Sequence, residues 1–145
     1  MRFQQQLAQQ LWQDCDEIYL KHQHLCIQLQ DKYLLDVNLL LLAIWLDKQR
    51  HSLTKQQWQT LQSSTLKWNQ QRLLPHRNLR RASKANLTAD EYQRMLDLEL
   101  MLERKSQHVI LRSITPLTWQ HEASNLKHYL SLFNLNNQDY SILTQ

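Results

Sequence analysis

Two acidic residues in the second half of the chain stand where acids are costly. Laid on a helix at ~100° per residue, Tyr92, Met95, Leu96, Leu98, Leu100, Leu102, Val109 and Ile110 cover one broad face. Arg94, Asp97, Arg104, Lys105, His108 and Arg112 cover the other. Glu99 and Glu103 fall near the middle of the apolar face, one helical turn apart. Ionised carboxylates in that position repel each other and must be paired or bind something. The leading reading is a buried ion network in which Arg77, Arg80 and Arg81 serve Glu99 and Glu103, since a planar guanidinium can bridge two carboxylates. The alternative is a polar pocket for a cationic or metal-bound ligand, with an enzyme built around the two acids as the least favoured case. A carboxylate metal centre on such helices would ordinarily use a Glu-x-x-His pair. None is present, so no metal and no cofactor is expected.

Charge is unevenly placed. Residues 48–84 hold nine Lys/Arg and no acid, whereas the segments on either side are mildly acidic, within an overall charge of +4. Arg77, Arg80 and Lys84 share one helix face, and with Arg72 they form a stripe able to contact phosphates, with Trp58 or Trp68 near enough to stack on bases. A basic surface helix is more often simply solvated, or paired with acids elsewhere, so nucleic acid or another polyanion is possible but not favoured. The two arginine readings compete: each arginine spent on Glu99 or Glu103 is one lost to phosphate.

Other candidates are weaker. His22 and His24 lie on different sides of any helix. His121 and His128 share a face with Asn125 but lack a carboxylate, and all four histidines read as surface residues. Cys15 and Cys26, with ten residues between them, fit no metal or redox spacing and read as reduced thiols in helix cores. There is no nucleophile motif, and a chain with no glycine has no glycine-rich phosphate loop. Asn38 either satisfies a backbone group in the first turn of its helix or is a buried amide that fixes register, part of the same candidate polar network as Glu99 and Glu103.

The elements that must hold these groups are helices. At 145 residues one domain with a real core is expected. With no glycine and two prolines, sheet hairpins are hard to build while helices lose nothing. The 21 glutamines, many in the first seventy positions, do not change that. Phe3, Leu7, Leu11, Cys15 and Ile18 mark a helix over 3–20, followed by a short one over 25–32. Asp36 reads as the N-cap of a helix that is apolar all round from Val37 to Leu46 except at Asn38, and such a helix belongs at the centre of a bundle. This run is half of what a bilayer requires and is closed by Asp47, so no membrane span is expected. No charged leader with an apolar core opens the chain, which points to a cytoplasmic protein.

Thr54-Lys-Gln-Gln57 is a capping box, with Trp58, Leu61, Thr65 and Trp68 as the following stripe. Leu74-Pro75 is expected to break that helix and start another, running to about Lys84. Thr88-Ala-Asp-Glu91 opens a long helix to about Arg112. Thr115-Pro116 is expected to start the last, with Trp119, Ala123, Leu126, Leu130 and Phe133 facing inward. Asn134, Asn136 and Asn137 end it, asparagine replacing glycine at left-handed positions. The expected whole is an all-α, compact single-domain bundle of about six to seven helices over residues 1–137, with a loose tail over 138–145.

Leu25-Cys-Ile-Gln-Leu-Gln-Asp31, Asp36-Val-Asn-Leu-Leu-Leu-Leu-Ala-Ile-Trp-Leu46, Leu74-Pro-His-Arg-Asn-Leu-Arg-Arg81 and Glu99-Leu-Met-Leu-Glu-Arg104 resemble a family of small bacterial proteins with no assigned function. The resemblance spans roughly residues 10–130, and the run from Asp36 to Leu46 is its most specific part. Members of that family often carry a glycine just before the aspartate, where this chain has Tyr33, Leu34 and Leu35. The resemblance implies a compact cytosolic helical domain and supplies no catalytic residues. The function that fits best is non-enzymatic binding or regulation through an unknown protein partner.

Overall fold

Asp36 starts the helix around which the others pack. The structure, a computed structural model, describes residues 2–145; residue 1 of the expected domain lies outside the described residues. The side-chain Oδ1 of Asp36 accepts from the Leu39 amide at 3.2 Å, and α2 follows over Val37–Gln49. Every residue from Leu39 to Leu46 is buried. At roughly 1.5–3 kcal/mol per fully buried large apolar side chain, this run is a main source of stability. Leu7, Leu11, Cys15 and Ile18 join the same core, as do Trp58, Leu61, Leu126, Tyr129 and Leu130.

The described residues form six α-helices and no β-strand: α1 (Arg2–Tyr33), α2, α3 (Lys55–Trp68), α4 (Leu74–Ser83), α5 (Ala89–Ile114) and α6 (Asn125–Ser131). The chain is thus an all-α bundle. Among the described residues no helix is long and apolar enough to cross a membrane. Both capping boxes form. Thr54 and Gln57 exchange bonds of 3.1 and 2.9 Å, and Thr88 and Glu91 do the same.

Turns without glycine adopt a left-handed backbone in three places, two of them at residues that tolerate it poorly. Leu34 (φ 58°) closes α1 and Arg50 (φ 56°) closes α2, while Asn134 (φ 59°) fills that role after α6. At Arg50 the amide bonds to the Asp47 carbonyl and the His51 amide to that of Leu46, a Schellman closure. Only the third position uses the asparagine expected there. Leu34 occupies the connection just ahead of Asp36.

The two expected N-terminal helices run together as α1 and meet at a kink at His22, whose backbone leaves helical geometry (φ −124°, ψ 23°). Three expectations about element boundaries need correction. Leu74-Pro75 starts α4 as expected, with proline in its first turn, but does not break the chain's helical path. A π-helical turn over Asn69–Leu73 links α3 to α4, and the Leu74 amide bonds to the Asn69 carbonyl. Widening the helix there accommodates a proline that has no N–H to give and whose ring would crowd a regular turn. The last helix begins at Asn125 rather than after Thr115, because residues 115–124 are irregular and Ser52 pairs with Gln120 through bonds of 2.7 and 3.1 Å. The segment expected as a loose tail forms 3-10 turns over Asn137–Thr144, and Leu143 is fully buried in the core.

Candidate functional site

The π-turn sets the direction of α4, and the Thr88–Glu91 cap returns the chain antiparallel as α5. These two helices form an arm in which α4 packs chiefly on α5 and on the π-turn. Its seam is polar. Arg80 Nε lies 2.9 Å from Glu99 Oε1, Arg77 Nε lies 3.6 Å from Glu99 Oε2, and Arg77 Nη2 lies 2.8 Å from Glu103 Oε1. The four charges run in alternating order and sum to zero. Arg80 also donates from Nη1 to the Tyr92 hydroxyl at 2.8 Å. The hydrogen bond to Glu99 and then that to Tyr92 raise the Arg80 pKa still further.

Neutral bonds extend the seam along the arm. His76 Nε2 sits 2.7 Å from the Met95 carbonyl, and Trp68 Nε1 donates to the Leu102 carbonyl at 3.3 Å. The apolar residues lie elsewhere. Leu74, Leu79, Leu98, Leu100 and Met101 are 48%, 58%, 41%, 47% and 48% exposed. Tyr92 and Ile110 face inward, but the broad apolar face expected for α5 is only partly used: its buried residues are Ser106, Ile110 and Ile114. Counting apolar positions overstates burial because α4 presents arginines to the middle of that face.

Of the six residues placed in the candidate network, Arg77, Arg80, Glu99 and Glu103 lie together. Arg81 is exposed and has no acid within bridging distance among the described residues. Asn38 is half-buried and apart from them, its Oδ1 accepting from Gln107 Nε2 at 3.3 Å. The residues named as a phosphate stripe divide in the same way. Arg77 and Arg80 face acids, the Arg72 guanidinium lies over the Trp68 ring at 5.6 Å, and the Lys84 ammonium lies over Tyr92 at 5.3 Å. Trp58 is no stacking platform, because it is fully buried and donates to Asn125 Oδ1 at 3.1 Å. Among the described residues no three His, Cys, Asp or Glu side chains are grouped to hold a metal ion. Cys15 and Cys26 are buried, and burial raises both thiol pKa values, that of Cys26 to about 11. A thiol so disfavoured as thiolate is unreactive at neutral pH.

Sequence reasoning missed two buried polar centres. Asn125 is fully buried and donates from Nδ2 to Asp47 Oδ1 at 2.9 Å and to the His51 carbonyl at 2.7 Å, while its Oδ1 accepts from the Leu53 amide at 2.9 Å. The Asp47 carboxylate also takes the Asn125 and Leu126 amides, so an acid at the end of α2 caps the start of α6. At the other end of α2, Asp36 Oδ2 accepts from Asn69 Nδ2 at 2.9 Å, and the Tyr129 hydroxyl accepts from the Asp36 amide at 3.0 Å and donates to Gln62 Oε1 at 2.6 Å. Burial raises the pKa of Asp36 and, more strongly, that of Tyr129. Asp36 was legible as a cap. Its link to the π-turn was not, since the partners are distant in sequence.

Residues 10–110 match the family described as protein of unknown function, DUF2390, and the chain belongs to it. The matched span holds α2, the π-turn and nearly all of the arm. No curated protein and no solved structure matches the chain.

Proposed function

We propose that this member of the family acts by binding another protein through the α4–α5 arm, rather than by catalysing a reaction. The observation that carries the reading is the arm's reversed polarity. Its ion pairs lie inside, whereas Leu74, Leu79, Leu98, Leu100 and Met101 are exposed and Met95, Leu96 and Leu102 are half-buried. A two-helix arm that only had to be stable would do better with the apolar residues in the seam, because a shielded ion pair gains little over a hydrophobic contact. Exposed apolar side chains on one two-helix element, with Leu98 and Met101 a turn apart on the same side of α5, are what a partner surface requires.

The partner's chemistry follows from the charges beside the exposed leucines. Arg81, Lys84, Arg104 and Lys105 are all exposed and none is in a salt bridge among the described residues. A partner with an apolar strip rimmed by carboxylates complements both features. Nucleic acid fits the arm less well, because phosphates would have to displace Glu99 and Glu103 from two of the four basic residues.

The test compares the wild-type chain with the triple variant Leu79→Ser, Leu98→Ser, Met101→Ser as bait in native cell extract. These side chains are exposed, so the variant should keep the wild-type melting behaviour. The reading expects a near-stoichiometric partner retained by wild type and lost by the variant, with the purified partner reproducing that difference in calorimetry. Identical captured proteins from both baits would contradict it. Sedimentation of the chain alone should give a monomer, and a dimer abolished by the same substitutions would replace the acidic partner with a second copy.

A further inference from the structure

Beside the base of the arm, where the π-turn meets α5, lies a cleft of about 310 Å³ lined by Ser64, Thr65, Lys67, Trp68, Gln71, Arg72, Ser106 and Val109. We propose that this cleft binds a nucleoside phosphate, a site separate from the protein-binding face of the arm. Ser64, Lys67, Gln71, Arg72 and Ser106 bring hydrogen-bond donors to it, two of them cationic; the Thr65 hydroxyl is already given to the Gln62 carbonyl, and the lining includes no carboxylate. Lys67 and Arg72 are exposed and have no acidic partner among the described residues. Asp36, which lies behind Thr65, is committed to the Leu39 amide and the Asn69 side chain. The cleft therefore favours an anion.

The aromatic part narrows the class. Trp68 is held in orientation by its bond to the Leu102 carbonyl, and Arg72 already stacks on its ring. A flat heterocycle can layer on that pair with Val109 at its edge, while Lys67 and the hydroxyls of Ser64 and Ser106 take the phosphate. The volume is at the lower end for small-molecule sites, which suits a mononucleotide-sized ligand. The π-turn contributes as well. Leu74 gives its amide to Asn69, and Pro75 has none, so the Gln70 carbonyl lacks its ordinary helical donors and the helix is locally open at this position. Single π-turns inside helices are frequent at functional sites.

The same chemistry could arrive as a free nucleotide or as one nucleotide of a single strand. Calorimetric titration of the full chain uses adenosine monophosphate, adenosine, inorganic phosphate and a short oligoadenylate as probes. The proposal expects saturable one-to-one binding of the monophosphate, with adenosine and inorganic phosphate each at least about tenfold weaker. Lys67→Gln and Arg72→Gln, both at exposed positions, should each weaken it about tenfold while leaving the thermal melt unchanged. Oligoadenylate no tighter than the monophosphate would assign the free nucleotide, and affinity rising with length would assign the single strand. No saturable binding at millimolar concentration, unchanged affinity in both variants, or inorganic phosphate binding as well as the nucleotide would overturn the proposal.

Discussion

Arg80 and Glu99 face each other across the arm with Nε 2.9 Å from Oε1, and their side chains are 13% and 14% exposed. Glu103, the outer acid of the same chain of charges, is 36% exposed. That difference sets an order of sensitivity. Glu99→Gln leaves two shielded guanidinium groups under-compensated and should cost about 2 kcal/mol, between the values for surface and buried pairs. Glu103→Gln should cost under about 1 kcal/mol, because water can replace it. Urea melts of both variants check this, and equal losses would show that the pairing does not depend on shielding.

Leu34 holds a left-handed backbone at the end of α1 and is 69% exposed. Glycine removes the steric cost of that conformation and forfeits little burial, although it gains more freedom in the unfolded chain. Leu34→Gly should stabilise the protein by about 0.5–1 kcal/mol. A loss of stability in thermal or urea melts would mean that the leucine side chain contributes packing that its exposure does not suggest.

Asp36 gives a pH dependence with a definite sign. Burial raises its folded-state pKa above the ordinary aspartate value of 3.8. The folded state thus binds the proton more tightly, and the stabilisation is complete below 3.8 and lost as pH rises through the folded value. Asp36→Asn keeps an N-cap acceptor and buries no charge, so it should flatten that decline and change stability at pH 7 by less than about 1 kcal/mol. Asp36→Ala removes the cap and orphans Asn69, and should cost about 1–3 kcal/mol. Urea midpoints measured from pH 4 to 8 separate the two, and an undiminished slope in Asp36→Asn would assign it to another group.

The central helix supplies the stability that the arm does not. Leu41 is 5% exposed in the middle of α2, and Leu41→Ala should cost about 2–5 kcal/mol in denaturant melts. A loss under about 1 kcal/mol would show that the site collapses around the gap or that the helix is not central.

How far the sequence reveals this fold depends on whether the controlling contact is local. The helix after Asp36, both capping boxes and the inward position of Glu99 and Glu103 follow from spacing alone, because each rests on residues within a few turns. Pro75 misled because a proline breaks a helix only if the backbone cannot widen, and the π-turn supplies that width. Residues 115–124 misled because Thr115-Pro116 is a good local helix start, whereas Ser52 and Asp47, far away in sequence, hold Gln120 extended and place the true start at Asn125. Leu143 was unreadable for the same reason. The exposed leucines of the arm were hidden by periodicity, which reports that a face is apolar but not what covers it. The cleft at Trp68 was half visible: Trp68 and Arg72 stand out at i, i+4 spacing, but the π-turn beside them does not.

Hydrogen exchange of the chain with and without its captured partner tests the arm's role most directly. Binding through the arm predicts that added protection is concentrated in peptides covering 74–84 and 94–105, with α2 unchanged because it is already buried. Protection confined to other surfaces, such as the exposed side of α1, with the arm peptides unaltered, would contradict the arm as the binding surface.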